Sequence, residues 1–323
     1  MQRRQLLRVG AASAAVLAAP MIKAQSLPSG PMRIVVGFPP GGGTDALARV
    51  LAQKLQAMWN INIVIDNKAG AAGVIAADYV AKQPADGNTL LMAHINSHAL
   101  ATSLQPKLGY NVERDFSPIG LVGVTPNLLI CNENQPAKTV KDLVALCKQN
   151  PGKISFASAG GGSAQHLALE MFKLRAGIDA LHVPYKGSSG SVNDLVSGQV
   201  SALFSSLPSL QGLIDKGYVR VLAATSRSNS PATKNLPLMS STLQGFDYAT
   251  WYAMYAPIGT SKELVERINK SINQALKNPK LADKVEAAGT ELHPGTPQEV
   301  IAWTKRDADK WVKVIRVAKI SVE

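Results

Sequence analysis

Two glycine-rich segments contain the residues of this chain that are best suited to binding chemistry. The first is Phe38-Pro39-Pro40-Gly41-Gly42-Gly43-Thr44-Asp45, and the second is Ser158-Ala159-Gly160-Gly161-Gly162-Ser163-Ala164-Gln165-His166. Glycine lets a backbone approach a ligand closely, and the first amides of a helix have no hydrogen-bond partner within it. A glycine turn that opens a helix therefore favours a carboxylate or a phosphate, without requiring a lysine or an arginine.

Each glycine turn follows a predicted strand and precedes a predicted helix. A single turn of this kind is also explained as a tight connection in which Thr44 or Ser163 only caps the helix. Two turns, one in each half of the chain, favour the interpretation that they hold one anion between them.

The glycine turns do not match the nucleotide-binding patterns. A phosphate-binding Walker loop ends in Gly-Lys-Ser/Thr, whereas Gly43 is followed by Thr44-Asp45 and Gly162 by Ser163-Ala164. The dinucleotide fingerprint is also incomplete, because the first turn lacks its last glycine. We therefore expect no nucleotide cofactor.

Catalytic and metal-binding patterns are equally weak. The spacing of Gly187-Ser188-Ser189-Gly190 differs from that of a nucleophile elbow. His94 and His98 could share a helical face, but no nearby carboxylate suggests a third metal ligand, so we expect them on a cleft wall or on the surface. His166 could donate to a bound carboxylate or point away from it. The sequence predicts no catalytic residue, no metal site and no cofactor.

The first residues have the form of an export signal. Arg3, Arg4 and Arg8 precede an uncharged, alanine-rich run, and Ala24 is a plausible cleavage point. The run is too short to span a bilayer stably. We therefore expect residues 1–24 to be a cleavable signal peptide, rather than a membrane anchor or an amphipathic first helix. The arginine pair fits both twin-arginine and general export signals. We expect a periplasmic protein.

Composition indicates a folded chain of about two domains. It has 323 residues, of which 46% are hydrophobic and 17% charged. Its net charge of +12 falls to +8 without the four basic residues of the signal, which favours anionic partners. Nucleic acid is not expected, because the basic residues are scattered and few aromatic residues lie between them. Cys131 and Cys147 are too few for a disulfide framework, and the sequence leaves their pairing open.

Short β-branched runs alternate with longer helical patterns, which predicts an α/β fold with two doubly wound sheets. Consecutive strands at 119–124 and 127–131 separate two such sets, and the chain returns near 245–256. Two lobes joined by two crossings can close over a ligand. The predicted units are residues 25–125 with 249–323 as one lobe and residues 126–248 as the other, with the C-terminal helix packed across the hinge.

Three helix starts are marked by their capping residues. Thr139 with Asp142 and Thr296 with Glu299 have the spacing of a capping box, and Thr260 precedes another helical pattern. These residues predict helices that begin after positions 139, 260 and 296.

The glycine turns belong to a wider set of segments that is typical of one protein family. The set comprises Phe38–Asp45 with Ala48-Arg49, Ser158–His166, His182-Val183-Pro184-Tyr185-Lys186-Gly187, Ile119–Val122, Trp251, Ala256-Pro257 and Gly295–Pro297. In these segments the chain resembles the tripartite tricarboxylate transporter receptors, or Bug family of periplasmic solute-binding proteins. The resemblance implies a two-lobe, type II-like Venus-flytrap fold whose glycine turns hold a ligand carboxylate through amides and bridging waters.

The turns and the resemblance together give a set of candidate ligand-binding residues. They are Phe38, Gly42, Gly43, Thr44, Asp45, Ser97, Ser158, Gly160, Gly162, Ser163, Gln165, His166, Tyr185 and Ser205. Relatives often have Asn, Thr and Ser where this chain has Gly161, Ser163 and Ala164, so direct side-chain contacts from the second turn are less expected than contacts from its amides.

Other departures from the family pattern narrow the expected ligand. Many relatives carry an aspartate where this chain has Ser205, and without that charge a desolvated ammonium lacks a partner unless Asp45 supplies one. An aspartate in the first turn of a helix is, however, more often a cap. His94 and His98 at the far end of the pocket would suit a second carboxylate or an aromatic acid.

We therefore expect a monomeric receptor that captures a dicarboxylate, a tricarboxylate or an aromatic acid in preference to an amino acid. The resemblance implies delivery to membrane permease subunits. Two alternatives stay open, namely an exported ligand sensor for a signalling system and, less favoured, a hydrolase that acts on carboxylates.

Overall fold

The computed structural model describes residues 30–105, 107–185 and 188–320. The predicted signal peptide and the Lys186-Gly187 pair of the family pattern lie outside these residues. The described chain has an α/β fold, as predicted. Its strands are β1 Met32–Val36, β2 Ile63–Asn67, β3 Thr89–His94, β4 Phe116–Asn132, β5 Ser155–Ser158, β6 Leu181–Pro184, β7 Ala202–Ser206, β8 Val219–Ala224, β9 Ala249–Pro257 and β10 Glu291–Leu292.

The helices alternate with the strands over most of the chain. They are α1 Gly43–Trp59, α2 Val74–Ala81, α3 Ala101–Leu104, α4 Val140–Gln149, α5 Ala164–Ala176, α6 Ser188–Val196, α7 Gln211–Ile214, α8 Lys262–Leu276, α9 Pro279–Ala287 and α10 Pro297–Ala318. A π-helical turn, Asn96–Leu100, precedes α3, and 3₁₀ turns lie at Ala71–Gly73, Leu207–Ser209 and Met239–Ser241. None of the helices within the described ranges combines the length and apolar character needed to cross a bilayer.

Hydrogen bonds at the helix starts follow the local sequence. The two predicted capping boxes are confirmed, at Thr139 with Asp142 and at Thr296 with Glu299. The prediction for Thr260 is wrong by one residue. Its hydroxyl donates to the carbonyl of Pro257 over 2.8 Å, and Ser261 caps α8 instead. The turn that follows β9 therefore binds the hydroxyl of Thr260, and the hydroxyl of Ser261 is left to cap the helix.

Strand β4 joins the two halves of the molecule. Its first part pairs with β9 and β10, and its second part pairs with β7 and β8. The sequence predicted two strands separated at Pro126, but the structure has one strand that continues through it. Pro126 lies opposite Ala249 of β9, and the next residue, Asn127, lies opposite Ser206 of β7. Proline is tolerated here because its missing amide hydrogen falls where β4 changes partners.

The two halves repeat the same arrangement of parallel strands. β1 lies between β2 and β3 in the first half, and β5 lies between β6 and β7 in the second. Neighbouring side chains enter cores on opposite faces, as Ile34 and Val35 do in the first half and Leu128 and Leu129 in the second. Both halves are therefore doubly wound, as the alternation predicted, and one core is continuous between them.

Helix α10 lies across the junction of the two halves. It packs against β4 and against α5 of the second half. The indole Nε1 of Trp251 donates to the buried carboxylate of Asp307 over 2.8 Å. The rings of Tyr248 and Trp311 meet edge to face at 5.4 Å. These contacts fix α10 to β9 at the point where the chain returns to the first half.

Cys131 and Cys147 are both free thiols in the core. Burial raises the pKa of each to about 11. Both side chains are therefore protonated at neutral pH and act as small apolar groups.

Candidate ligand-binding site

Strand register places the end of β1 at the junction of the two halves. β1 and β3 run in parallel, and His94 at the end of β3 pairs with Tyr252 of β9. β9 pairs with β4 so that Thr250 lies opposite Thr125, one residue before Pro126. The first glycine turn, which follows β1, therefore emerges beside the junction.

The second glycine turn emerges at the same place from the other half. β7 ends at Ser206, which pairs with Asn127 of β4, one residue after Pro126. β5 runs parallel to β7, with Phe156 beside Ala202, so the two strands end in the same direction. Both glycine turns thus lie at the carboxyl ends of strands on either side of the junction. We call the space between them the cleft, and this is where open α/β sheets bind ligands.

The first turn presents a row of unpaired backbone amides. Gly41 has a φ of +85°, which favours glycine, and Gly42 is the N-cap of α1 with no side-chain cap. Thr44 therefore does not cap the helix, in contrast to the simple-turn explanation. Within the described chain, no hydrogen bond is made by the amides of Gly42, Gly43, Thr44 and Asp45. These donors stay available to a ligand.

The carboxylate of Asp45 supports the first turn from below. Its Oδ2 accepts hydrogen bonds from the amide of Gly41 at 2.9 Å and from Nε of Arg49 at 2.8 Å. Its Oδ1 accepts one from Nδ2 of Asn67 at 2.9 Å. Burial by itself raises the pKa of Asp45, but these three hydrogen bonds outweigh it and hold the pKa below its ordinary value. Asp45 is therefore ionised and already neutralised by Arg49.

The second turn has the same backbone arrangement with different side chains. Gly162 has a φ of +71°, and its amide donates to Nδ1 of His166 over 3.1 Å. Ser163 is the N-cap of α5, and its hydroxyl accepts from the amide of His166 at 3.3 Å. In the part of the chain that the structure describes, no acceptor faces the amides of Gly161, Ala164 and Gln165. The second turn therefore also offers donors to the cleft.

His166 orders the second turn in its neutral form. Its ring stacks on that of His182 at 3.8 Å and 4°, and Nε2 of His182 lies 2.7 Å from Oγ of Ser158. Burial, with a smaller effect of Lys173, lowers the pKa of His166 to about 4, and burial lowers the pKa of His182 to about 4 as well. Nε2 of His166 lies 3.8 Å from Oε1 of Glu170. In this geometry the imidazole accepts from the turn, while a ligand would meet the amides.

Like those of Ser158 and Ser163, the hydroxyl groups of the candidates Ser97 and Tyr185 are already hydrogen-bonded inside the protein. Oγ of Ser97 donates to the carbonyl of His94 over 3.1 Å and lies 3.1 Å from Nδ1 of His98. The hydroxyl of Tyr185 donates to the carboxylate of Asp194, and this hydrogen bond raises the pKa of Tyr185 to about 12. Ser97 therefore stabilises the π-helical turn, and Tyr185 links the end of β6 to α6.

The remaining candidates lie on the strand ends and the second turn. Ser205 is buried at the end of β7, opposite Leu128. Gln165 is half-buried in the first turn of α5, and its side chain has no hydrogen bond to any described residue. Gly160 has a φ of +131°, and a Cβ there would lie 3.1 Å from the carbonyl oxygen of Tyr185. This position therefore requires glycine for two independent reasons.

An aromatic wall lies under the first turn, and the sequence identified only part of it. Phe38 packs on His94 with ring centres 4.7 Å apart, and His94 meets Tyr252 edge to face at 5.5 Å. A Cβ on Gly43 would lie 3.6 Å from the hydroxyl of Tyr252. Burial lowers the pKa of His94 to about 3, and its Nδ1 accepts from the amide of Asn96 at 3.1 Å. The wall is thus aromatic and uncharged. Tyr252 was missed because only the pairing of β9 with β3 brings it here.

His98 does not belong to this wall, in contrast to the expectation of a cleft-wall or surface position. Its side chain is fully buried, with ring centres 4.4 Å from Tyr255, 4.9 Å from Phe116 and 6.2 Å from Tyr110. The π-helical turn rotates it away from His94 into the core between the sheet and α10.

Among the residues that the structure describes, Arg49 and Lys173 beside the cleft are both paired with carboxylates, so neutral donors dominate its chemistry. Arg49 neutralises Asp45 at 2.8 Å, and Lys173 lies 2.9 Å from the carboxylate of Glu170. Among the described residues, no group of three or more His, Cys, Asp and Glu side chains is placed to hold a metal ion. The arrangement can bind an anionic group through backbone amides above an aromatic surface.

The chain is similar to known proteins over most of its length. The family described as "Tripartite tricarboxylate transporter family receptor" matches residues 47–320. Protein BugT of Bordetella pertussis is 36% identical over 302 residues, which cover 93% of this chain and 92% of BugT. The structure of R. palustris Rpa4515 with adipate has a TM-score of 0.85 and 34% identity, covering 91% of this chain and 99% of the other. The structure of MatC (Rpa3494) from Rhodopseudomonas palustris with bound malate has a TM-score of 0.80 and 26% identity, covering 89% of this chain and 99% of the other.

Proposed function

Because the chain belongs to the tripartite tricarboxylate transporter receptor family, we propose that it is a periplasmic receptor that closes on a small organic carboxylate and delivers it to a membrane permease. The observation that carries this proposal is that each side of the cleft presents a set of backbone amides without a hydrogen-bond acceptor. Two helix starts that converge on one carboxylate supply charge-assisted hydrogen bonds from both halves, so the ligand itself favours closure.

A carboxylate ligand fits the donors of both turns. The first turn offers the amides of Gly42, Gly43 and Thr44, and the second offers those of Gly161, Ala164 and Gln165. The bound adipate of Rpa4515 and the bound malate of MatC, both carboxylates, support this ligand class.

The charges of the cleft favour a di- or tricarboxylate or an aromatic acid over an amino acid. Ser205 provides no negative charge at the end of β7, and the carboxylate of Asp45 is held by Arg49. A ligand ammonium would lose its hydration without gaining a counter-charge, which costs several kcal/mol at order of magnitude. The aromatic wall of Phe38, His94 and Tyr252 suits an apolar or planar ligand body.

The proposal includes the organisation of the chain. Residues 25–125 with 249–323 form one lobe, residues 126–248 form the other, and residues 1–24 direct export and are removed. The receptor acts as a monomer without a cofactor, and it releases its ligand chemically unchanged.

A thermal-shift screen of residues 25–323 against dicarboxylates, aromatic acids and amino acids tests the proposal. A ligand with micromolar affinity at millimolar concentration stabilises the folded state by about 4 kcal/mol. We expect a carboxylate without an amine to give the largest shift in Tm. Glutamate or aspartate as the best ligand would contradict the assigned preference, and conversion of the ligand into a product would contradict the receptor function.

The variant Ser205→Asp sharpens the screen. It places a carboxylate at the end of β7, where a ligand amine could pair with it. We expect weaker binding of the best carboxylate, by about tenfold, and stronger binding of its amino analogue. Ser209→Asp, on an exposed residue of the following 3₁₀ turn, is the matched control and should leave both affinities unchanged.

A further inference from the structure

A groove on the outer side of the molecule lies between α5 and α10. It has a volume of about 550 Å³ and is lined mainly by Leu174, Arg175, Lys310, Lys313, Val314 and Val317. It is distant from the cleft, because it lies at the carboxyl end of α5, whereas the second glycine turn lies at the other end of this 13-residue helix.

The groove combines exposed apolar side chains with unpaired positive charge. Leu174 and Val317 are 45% and 64% exposed. Nη1 of Arg175 donates to the carbonyl of Gln244 over 2.8 Å and has no acidic partner among the described residues. Lys313 makes no ion pair within the described chain. An apolar surface flanked by cations without acidic partners favours a partner that is both apolar and acidic.

The other charged residues of the groove do not cancel the positive charge of Arg175 and Lys313. Lys310 lies 3.7 Å from the buried Asp307 and donates to the carbonyl of Asp247 over 2.8 Å. Asp309 is the acidic lining residue, and Lys305 pairs with it at 3.0 Å. The groove therefore keeps a net positive charge.

The two walls of the groove are attached to different parts of the receptor. One wall is α5, which begins at the second glycine turn. The other wall is α10, which is fixed to β9 by the contacts of Trp251 with Asp307 and of Tyr248 with Trp311. Because α10 packs against β4 as well as against α5, a rotation of the second half about the junction would move α5 relative to the part of α10 held on β4 and β9, and closure of the cleft would change the width of the groove.

We propose that this groove docks an acidic, partly apolar segment of the membrane permease and thereby reports whether the receptor is closed. This inference rests on the proposed receptor function. A concave space between two helices fits a protein segment, whereas a lipid surface would need a convex or flat basic face. The interaction is electrostatic in part, so it weakens as the salt concentration rises.

The test uses the double variant Arg175→Glu with Lys313→Glu in the mature receptor. Its matched control is Lys270→Glu with Lys280→Glu, which reverses two exposed charges on α8 and α9. The probe for ligand binding is the acid that gives the largest Tm shift in the screen, and uptake of the same labelled acid is measured in cells that contain the permease. We expect the groove variant to bind this acid with unchanged Kd and to support uptake at least tenfold less efficiently.

Two results would overturn the inference. One is uptake by the groove variant at the rate of the control variant. The other is binding of the unaltered receptor to vesicles of phosphatidylglycerol and phosphatidylcholine that the groove variant loses, because the groove would then recognise a lipid surface. Failure of the proposed carboxylate function is distinguished from both, since it appears in the binding measurement on the purified receptor before uptake is compared.

Discussion

The two glycine turns occupy equivalent positions in the two halves, yet different side chains hold them. In each turn a glycine amide donates to a side chain four residues later, Gly41 to Asp45 and Gly162 to His166. Behind these acceptors, one helical turn further, the charges are opposite, with Arg49 in the first half and Glu170 in the second.

The comparison shows which parts of the turn are interchangeable. In both turns a glycine with a positive φ donates its amide hydrogen to a side chain of the following helix, so this donor is satisfied within the turn. The acceptor can be an ionised carboxylate with a cationic partner or a neutral imidazole stacked on a second ring. Either one leaves the following amides free for a ligand.

The largest expected effect is the loss of ligand affinity when a glycine of either turn is replaced by a bulky residue. Gly43→Val and Gly161→Val each place a side chain in front of the free amides, at positions without a positive φ. Loss of one or two charge-assisted hydrogen bonds should weaken carboxylate binding by about 100-fold in both variants. Isothermal titration calorimetry measures the effect, with Gly212→Val on α7 as the control. A large effect in only one turn would mean that the two turns do not share a ligand.

Removing the acceptor side chain should destabilise the protein more in the first turn than in the second. Asp45→Ala leaves the amide of Gly41 without its acceptor and removes one of the two acceptors of Nδ2 of Asn67, the other being the carbonyl of Phe38, and it should lower the free energy of unfolding by about 3 kcal/mol. His166→Ala removes one acceptor and one ring contact, and about 1.5 kcal/mol is expected at pH 7.5. Urea denaturation measures both values, and equal losses would refute the distinction between the turns.

The two turns should respond to acid in different pH ranges. His166 has a pKa of about 4 in the folded state and 6.5 as its ordinary value, so the unfolded chain binds more protons between these pH values. Its contribution to stability is therefore complete above pH 6.5 and decreases as the pH falls toward 4. The pKa of Asp45 is depressed, so its contribution is present above pH 3.8 and is lost only below that value.

Unfolding measurements from pH 7 to 4.5 on the wild type and His166→Gln isolate this effect. The buried His94, His98 and His182 are present in both proteins, so their contributions cancel in the difference except for the part of the His182 shift that comes from His166 itself. Glutamine retains an acceptor for Gly162 but does not titrate, and the variant should lose about 2 kcal/mol less than the wild type over this range. Parallel stability curves would rule out His166 as the titrating group of the second turn.

The smallest effect is expected for the cation behind the first turn. The side chain of Arg49 is 51% exposed, so Arg49→Gln should lower the free energy of unfolding by less than 1 kcal/mol. Lys262→Gln, on an exposed residue paired with Glu266 at 3.8 Å, is a suitable control. A loss as large as that of Asp45→Ala would show that the ion pair, and not the hydrogen bonds to Gly41 and Asn67, supports the turn.

The local sequence determined much of this protein. The alternation of apolar runs and helical patterns predicted the α/β fold, and the capping boxes at Thr139 and Thr296 predicted two helix starts. The two glycine turns and the family resemblance were visible in the same way. The helix starts depend on hydrogen bonds between residues three positions apart, and the alternation depends on the spacing of apolar residues, so both can be read from the local sequence.

Only the tertiary structure decided how these elements meet. The register of β3 on β9 brings Tyr252 beneath Gly43, and the register of β5 on β6 places His182 against His166. The continuity of β4 through Pro126 sets both glycine turns on one cleft, and the π-helical turn buries His98 while His94 stays at the cleft. Each of these outcomes depends on strand pairing and packing between distant residues, which the spacing of residue types along the chain does not specify.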